Sequence, residues 1–126
     1  MKRPITTDAA PLPKGPYSQA VLSAGRCLYI SGQGPVDAAS GEFVVGSFDE
    51  QARLTLRNVR ALAEAAGGTL AQAIKVHVYL RNMKDFQALN SVYAEFFPEP
   101  QPARTTVQSN LPGFDVEIDA IIALDA

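Results

Sequence analysis

An arginine and a glutamate stand inside two apolar, strand-like segments near the C-terminus. Arg104 lies in Pro102-Ala103-Arg104-Thr105-Thr106-Val107, and Glu117 in Val116-Glu117-Ile118-Asp119-Ala120-Ile121. Strand interiors are poor in acidic residues, and a fully buried charge is rare without a partner. One of each sign in such segments is held for a ligand or for the other. In a ligand site the guanidinium fork suits a carboxylate or phosphate, where charge-assisted contacts contribute about 1.5–3 kcal/mol and fix orientation. Glu117 would then act as a general acid or base, or place a water. The plain alternatives are an edge-strand arginine that snorkels or pairs with a nearby acid, and a glutamate paired with Lys75 or an arginine across the sheet.

Other residues could join them. Asp119 shares the strand face of Glu117 and serves equally well as a structural partner. Tyr17, after Gly15-Pro16, can wall a pocket or simply pack. Ser31 with the Gly32 and Gln33 amides can form a hydrogen-bonding nest at a strand end, or an ordinary turn. Asn90 interrupts the apolar side of a predicted helix, where a polar residue caps something or meets a ligand. His77, midway along a strand, reads as a satisfied sheet residue or an oligomer contact, and Cys27 as a small hydrophobe.

The rest of the composition removes competing chemistry. A single cysteine leaves no intrachain disulfide or cysteine-rich metal site, and a single histidine leaves no multi-histidine zinc set. Gly32-Gln33-Gly34 lacks the third, helix-opening glycine of a dinucleotide fingerprint, and no P-loop occurs. An enzyme built on this chain is expected to work without metal or cofactor. The net charge of −2 argues against a general nucleic-acid binder. The apolar run Ala120 to Leu124 is far shorter than the ~20 residues needed to cross a bilayer. A cytoplasmic protein is expected, since Pro4-Ile5-Thr6-Thr7-Asp8 follows Lys2-Arg3 in place of a signal-peptide core.

The elements that must position these residues follow from period and punctuation. A length of 126 residues makes one domain, residues 1–126. Pro11 to Pro16 is a structured lead-in that cannot be helical. Ser18 to Ser23 and Arg26 to Ser31, flanking Ala24-Gly25, read as a β-hairpin whose second strand ends in a tight turn at Ser31 to Pro35. Ser47-Phe48-Asp49-Glu50 is a capping box, and Phe48, Ala52, Leu56, Val59, Ala63 and Ala66 form the apolar stripe of the helix it starts. Gly67-Gly68 ends that helix. Ile74 to Leu80 alternates as a strand, Asp85 to Phe97 repeats as a second helix, and strands follow at about Ala103 to Gln108 and Val116 to Leu124. The order β-β-α-β-α-β-β predicts an α+β fold, a mixed sheet with two helices on one face. The other face carries Lys75, His77, Tyr79, Glu117, Asp119 and Ile121, a half-apolar surface expected to lie at an oligomer interface.

Six segments in this order and spacing make a pattern. They are Gly15-Pro16-Tyr17-Ser18-Gln19, Ile30-Ser31-Gly32-Gln33, Gln51 through Ala66 with Asn58-Val59, Leu89-Asn90-Ser91-Val92-Tyr93, and the two strands that hold Arg104 and Glu117. The pattern resembles the RidA (YjgF-like) family of reactive-intermediate deaminases over nearly the whole chain. The resemblance implies a chorismate-mutase-like α+β fold, a homotrimer with clefts between subunits, and cofactor-free hydrolysis of enamines and imines such as 2-aminoacrylate to 2-oxo acids and ammonia. It implies that Arg104 grips the substrate carboxylate, that Glu117 handles the attacking water or its protons, and that Tyr17, Ser31, Gly32, Asn90 and Thr106 line the cleft. Thr106 stands where many members have cysteine, so thiol-based behaviour does not carry over. Two alternatives stay open: endoribonuclease activity, which the resemblance also brings, and a regulatory trimer that binds a small anionic 2-oxo acid without turnover.

Overall fold

Ser47 caps the longer helix, α1 (Phe48–Ala65), in the computed structural model, which describes residues 1–126. Its hydroxyl accepts the Glu50 N–H and lies 3.1 Å from the Glu50 carboxylate, so the acid meets the capping hydroxyl where a full capping box would use the Ser47 amide. Ala52, Leu56, Val59 and Ala63 recur at helical spacing and are fully buried. The helix stops because Gly67 turns to φ +83°, a left-handed conformation suited to glycine, and the Gly68 N–H returns to the Ala63 carbonyl at 2.9 Å. Ala66, expected on the apolar stripe, is the exposed C-cap.

Four strands form the main sheet: β3 (Cys27–Gln33), β4 (Ala73–Leu80), β5 (Ala103–Gln108) and β6 (Val116–Ala123). Their order is β3-β6-β4-β5, antiparallel except for β4 and β5. Parallel neighbours need a crossover, and the second helix, α2 (Phe86–Phe96), supplies it. A 3-10 turn at Met83–Asp85 precedes α2, so the helix starts one residue later than its apolar pattern indicates. Val76, Val78 and Leu80 of β4 and Val116, Ile118, Ala120 and Ile122 of β6 pack in one core with α1 and α2. The architecture is therefore α+β, with both helices on one face of a mixed sheet. The other face is not covered by the chain, and Tyr29 there is 74% exposed.

Two expectations fail near the N-terminus. The expected hairpin does not form: β2 (Ala20–Ser23) pairs with an additional strand, β1 (Lys2–Ile5), from Lys2 opposite Ser23 to Ile5 opposite Ala20, while β3 pairs with β6. Alternation decides which side chains share a face, whereas the neighbouring strand is decided by contacts distant in sequence. Here Asp125 intervenes, accepting the Arg26 N–H at 2.9 Å and tying the start of β3 to the C-terminal segment. β1 lies before the Pro11 to Pro16 lead-in, which is not helical. Finally, Ser31 does not end its strand in a turn, because β3 runs on to Gln33 through a register shift between Ile30 and Gln33. No helix is long and apolar enough to cross a membrane.

Candidate active site

Arg104 lies on the edge strand β5 opposite Val76, whose other neighbour, Ala120, is buried in the core. Partners in register share a face, so the Arg104 side chain rises on the helix side of the sheet. There α2 presents Phe86, Asn90 and Tyr93, spaced four and three residues apart and so stacked along one helical face. The guanidinium carbon is 4.9 Å from the Tyr93 ring centroid, 5.6 Å from that of Phe86 and 5.6 Å from that of Tyr17. Tyr17 arrives from the N-terminal lead-in because Ser18 is pinned to the entry of β5. Its N–H donates to the Pro102 carbonyl at 3.0 Å and its hydroxyl donates to the Gln101 carbonyl. The Gln19 amide anchors the lead-in through Thr7, Ala10 and Pro11, and the Lys14 N–H donates to the Tyr17 hydroxyl at 3.0 Å. A methyl group placed on Gly15 would meet Tyr17, Asn90 and Arg104 between 3.6 and 3.8 Å, which locates the three around one point.

Tyr17, Phe86, Arg104 and Thr106 line a cleft of ≈ 230 Å³. Its electrostatics are unusual for a protein interior. Arg104 makes no salt bridge, and its Nη1 is buried without a hydrogen-bond partner. The same is true of Asn90 Oδ1, Tyr93 Oη and Thr106 Oγ1. Burial pushes the guanidinium pKa down, offset in part by the Tyr93 and Tyr17 rings beside it, and the Tyr93 phenol is pushed well up by its own burial. A guanidinium stays charged under such perturbation. Leaving a buried polar group unpaired costs about 1–3 kcal/mol, so Arg104, Asn90 and Thr106 together mark a place prepared for a polar ligand. A hollow of similar size, ≈ 280 Å³, lies among Arg81, Asn82, Lys84, Asp85 and Asp115. It has no apolar wall, none of its polar atoms is buried and unpaired, and Asp115 already accepts from Gln51 at 3.0 Å. It is the weaker candidate.

Glu117 belongs to the opposite face of the sheet. It stands in register with Tyr79 of β4, one residue out of phase with the buried Val116 and Ile118. It makes no salt bridge either, and Lys75 donates to the Thr105 hydroxyl at 3.0 Å in its place. A Cβ built on Gly32 would fall 2.5 Å from Glu117 Oε2, so Gly32 is needed to admit the carboxylate, not to make a turn. Ser31 is exposed beside it, its carbonyl accepting from the Gln33 side chain at 3.1 Å. Asp119 is a structural partner: it bonds His77 Nδ1 at 2.8 Å and accepts from the Tyr79 hydroxyl at 3.2 Å.

The candidates thus divide into two groups. Tyr17, Asn90, Arg104 and Thr106 meet on the helix face, and Ser31, Gly32 and Glu117 on the open face. Arg104 and Glu117 are not paired with each other in one chain. Phe86 and Tyr93, read from sequence only as apolar positions of the second helix, also belong to the first group. Their signal was the Asn90 that breaks their stripe. No group of three or more His, Cys, Asp or Glu side chains is placed to hold a metal ion.

Residues 7–124 match the family model described as Endoribonuclease L-PSP. The chain is 50% identical over 123 residues to a RutC family protein of Pyrococcus horikoshii, covering 96% of this chain and 97% of the relative. It is 41% identical over 126 residues to the 2-iminobutanoate/2-iminopropanoate deaminase of Dermatophagoides farinae, covering 98% of both. The crystal structure of RidA from the Antarctic bacterium Psychrobacter sp. superposes with a TM-score of 0.74 at 41% identity, over 96% of this chain and 98% of that one.

Proposed function

Because the chain belongs to the Endoribonuclease L-PSP family, which takes in the YjgF/RidA proteins, we propose that it hydrolyses reactive 2-imino acids to 2-oxo acids and ammonia. One observation carries the reading: Arg104 is a half-buried cation whose Nη1 is buried and unpaired, in an aromatic-walled cleft that holds no acid of its own. Such a cation is incomplete without an anion, and a fork of N–H donors fits a carboxylate. The cleft is small, which suits a three- or four-carbon acid.

The chemistry needs little else. An enamine such as 2-aminoacrylate tautomerises to its imine, whose carbon is already electrophilic. Arg104 fixes the carboxylate, and with it the plane and distance of the C=N group. Water adds to the carbon as Glu117 takes its proton. That proton passes to the nitrogen to give a carbinolamine, whose hydroxyl proton then moves to nitrogen as the C–N bond breaks and the C=O bond forms, leaving a 2-oxo acid and ammonia. Thr106 and Asn90 offer their unpaired oxygens to the bound molecule.

Glu117 cannot serve an Arg104 on the far side of its own sheet, so we propose that a second copy supplies it. In a homotrimer, the open face of one subunit would bring its Ser31, Gly32 and Glu117 to the cleft of the next. The ribonuclease named in the family description is not our reading. A long polyanion is held along many cations, whereas this cleft offers one, in a chain of net charge −2. The test is ammonia release from 2-aminoacrylate generated in place by a pyridoxal-phosphate dehydratase. Arg104→Ala is expected to abolish the acceleration with the oligomer intact, and retained acceleration would exclude the carboxylate clamp.

A further inference from the structure

A buried arginine is normally oriented by a carboxylate, which spends its donors and cancels its charge. Arg104 has no such partner, yet its side chain is confined. Three rings surround it, and the nearest is Tyr93, whose centroid is 4.9 Å from the guanidinium carbon. Tyr93 is fully buried and stacked on Phe97, with centroids 4.4 Å apart and an interplanar angle of 29°, so its ring is itself fixed. Its hydroxyl bonds to nothing. The ring is therefore the part in use. A ring face attracts a cation through its quadrupole without accepting the in-plane N–H donors that a carboxylate would consume.

We propose that Tyr93 is a positioning residue for the reaction, the floor of an aromatic seat that aims the Arg104 fork while leaving its donors free for the substrate. Phe86, one face along the same helix and 5.6 Å from the guanidinium, is the second wall. Tyr17 is the third, on a segment anchored by the Ser18 and Gln19 hydrogen bonds. The seat solves a problem that an ion pair cannot. A carboxylate partner would have to be displaced by each incoming substrate, whereas a ring stays in place while the anion binds. Arg104 thus enters the encounter oriented, half-buried and unneutralised. This inference rests on the carboxylate-clamp reading above.

The experiment measures binding and turnover separately. Pyruvate and its neutral counterpart pyruvamide are titrated calorimetrically into the wild-type protein, Tyr93→Leu, Tyr93→Phe and Phe86→Leu. Tyr93→Leu is expected to weaken pyruvate binding roughly tenfold, or about 1.4 kcal/mol, within the range of a desolvated cation–π contact. Pyruvamide affinity should hardly move, a split that mere loosening of the core would not produce. Tyr93→Phe should restore pyruvate affinity because it restores the ring. With 2-aminoacrylate as substrate, KM should rise more than kcat falls. If Tyr93→Leu fails to fold, Phe86→Leu tests the same seat from its outer wall with the same carboxylate-selective loss. Equal losses for pyruvate and pyruvamide, or unchanged pyruvate affinity in both leucine variants, would overturn the seat while leaving the clamp standing. A wild-type protein that binds no pyruvate would overturn the clamp itself, and the seat with it.

Discussion

Gly32→Ala separates catalysis from folding more cleanly than removal of a charged residue can. The new Cβ would stand 2.5 Å from Glu117 Oε2 and 3.0 Å from its carboxyl carbon, whereas ordinary contact begins at 3.4 Å. The carboxylate must therefore retreat by about 0.9 Å, the gap between 2.5 and 3.4 Å. It can do so, since the carboxylate is the free end of a flexible side chain that makes no salt bridge. Gly32 does not require a left-handed backbone, so alanine adds no strain there. Stability is expected to change by less than about 1 kcal/mol. Catalysis is more demanding, because a misplacement of about 1 Å in a reacting group can cost on the order of 100-fold in rate. The assay follows conversion of freshly generated 2-aminoacrylate to pyruvate and ammonia, alongside thermal unfolding. A loss near that of Glu117→Gln, with no further loss in the double variant, is the expected result. A Gly32→Ala protein that hydrolyses the imine at the wild-type rate would refute the idea that this carboxylate acts from this position.

Two further predictions concern stability. Ser47→Ala removes the hydroxyl that accepts the Glu50 N–H and should lower the free energy of unfolding by about 1 kcal/mol in denaturant titration, with imine hydrolysis unchanged. Acid should destabilise the protein through Asp37, Glu95 and Asp125. Each is held below the usual carboxylate range, by the Ser40 and Ala39 amides, by Arg53 and by Arg26 respectively. A depressed folded pKa gives stability that is present above the unfolded value, about 4, and is lost as pH falls through the folded one. Melting temperature should therefore drop below about pH 4, and Asp125→Asn should flatten part of that slope.

What the chain reveals unaided depends on whether the physics is local. The cap at Ser47, the stripe from Ala52 to Ala63 and the alternation of Val76, Val78 and Leu80 are local, and they read directly as α1 and β4. The partner of β2 is not local, since Ala24-Gly25 looks like a hairpin turn while Asp125, far along the chain, anchors Arg26. Gly32 carried a related ambiguity. Its type suggested a turn, and only the approach of Glu117 across the sheet explains it. Arg104 and Asn90 stand out as residues unsuited to their surroundings, Tyr17 reads equally as packing, and the structure gathers all three. Phe86 and Tyr93 did not stand out because aromatic residues on an apolar helix face suit packing equally well. Their use as a seat becomes visible only once a cation is found against them. That Arg104 and Glu117 face opposite sides of the sheet required the β4–β5 and β4–β6 registers, which no pattern within a single strand encodes.

Co-expression of two inactive variants tests the central claim most directly. Arg104→Ala keeps Glu117 and Glu117→Gln keeps Arg104, so each homo-oligomer lacks one half of every cleft. If one subunit's Arg104 works with its neighbour's Glu117, each mixed trimer contains one intact cleft. Random mixing should then recover about a quarter of wild-type imine hydrolysis. Recovered activity in oligomers purified through a different tag on each variant is the result the account predicts. Mixed oligomers as inactive as their parents would contradict it.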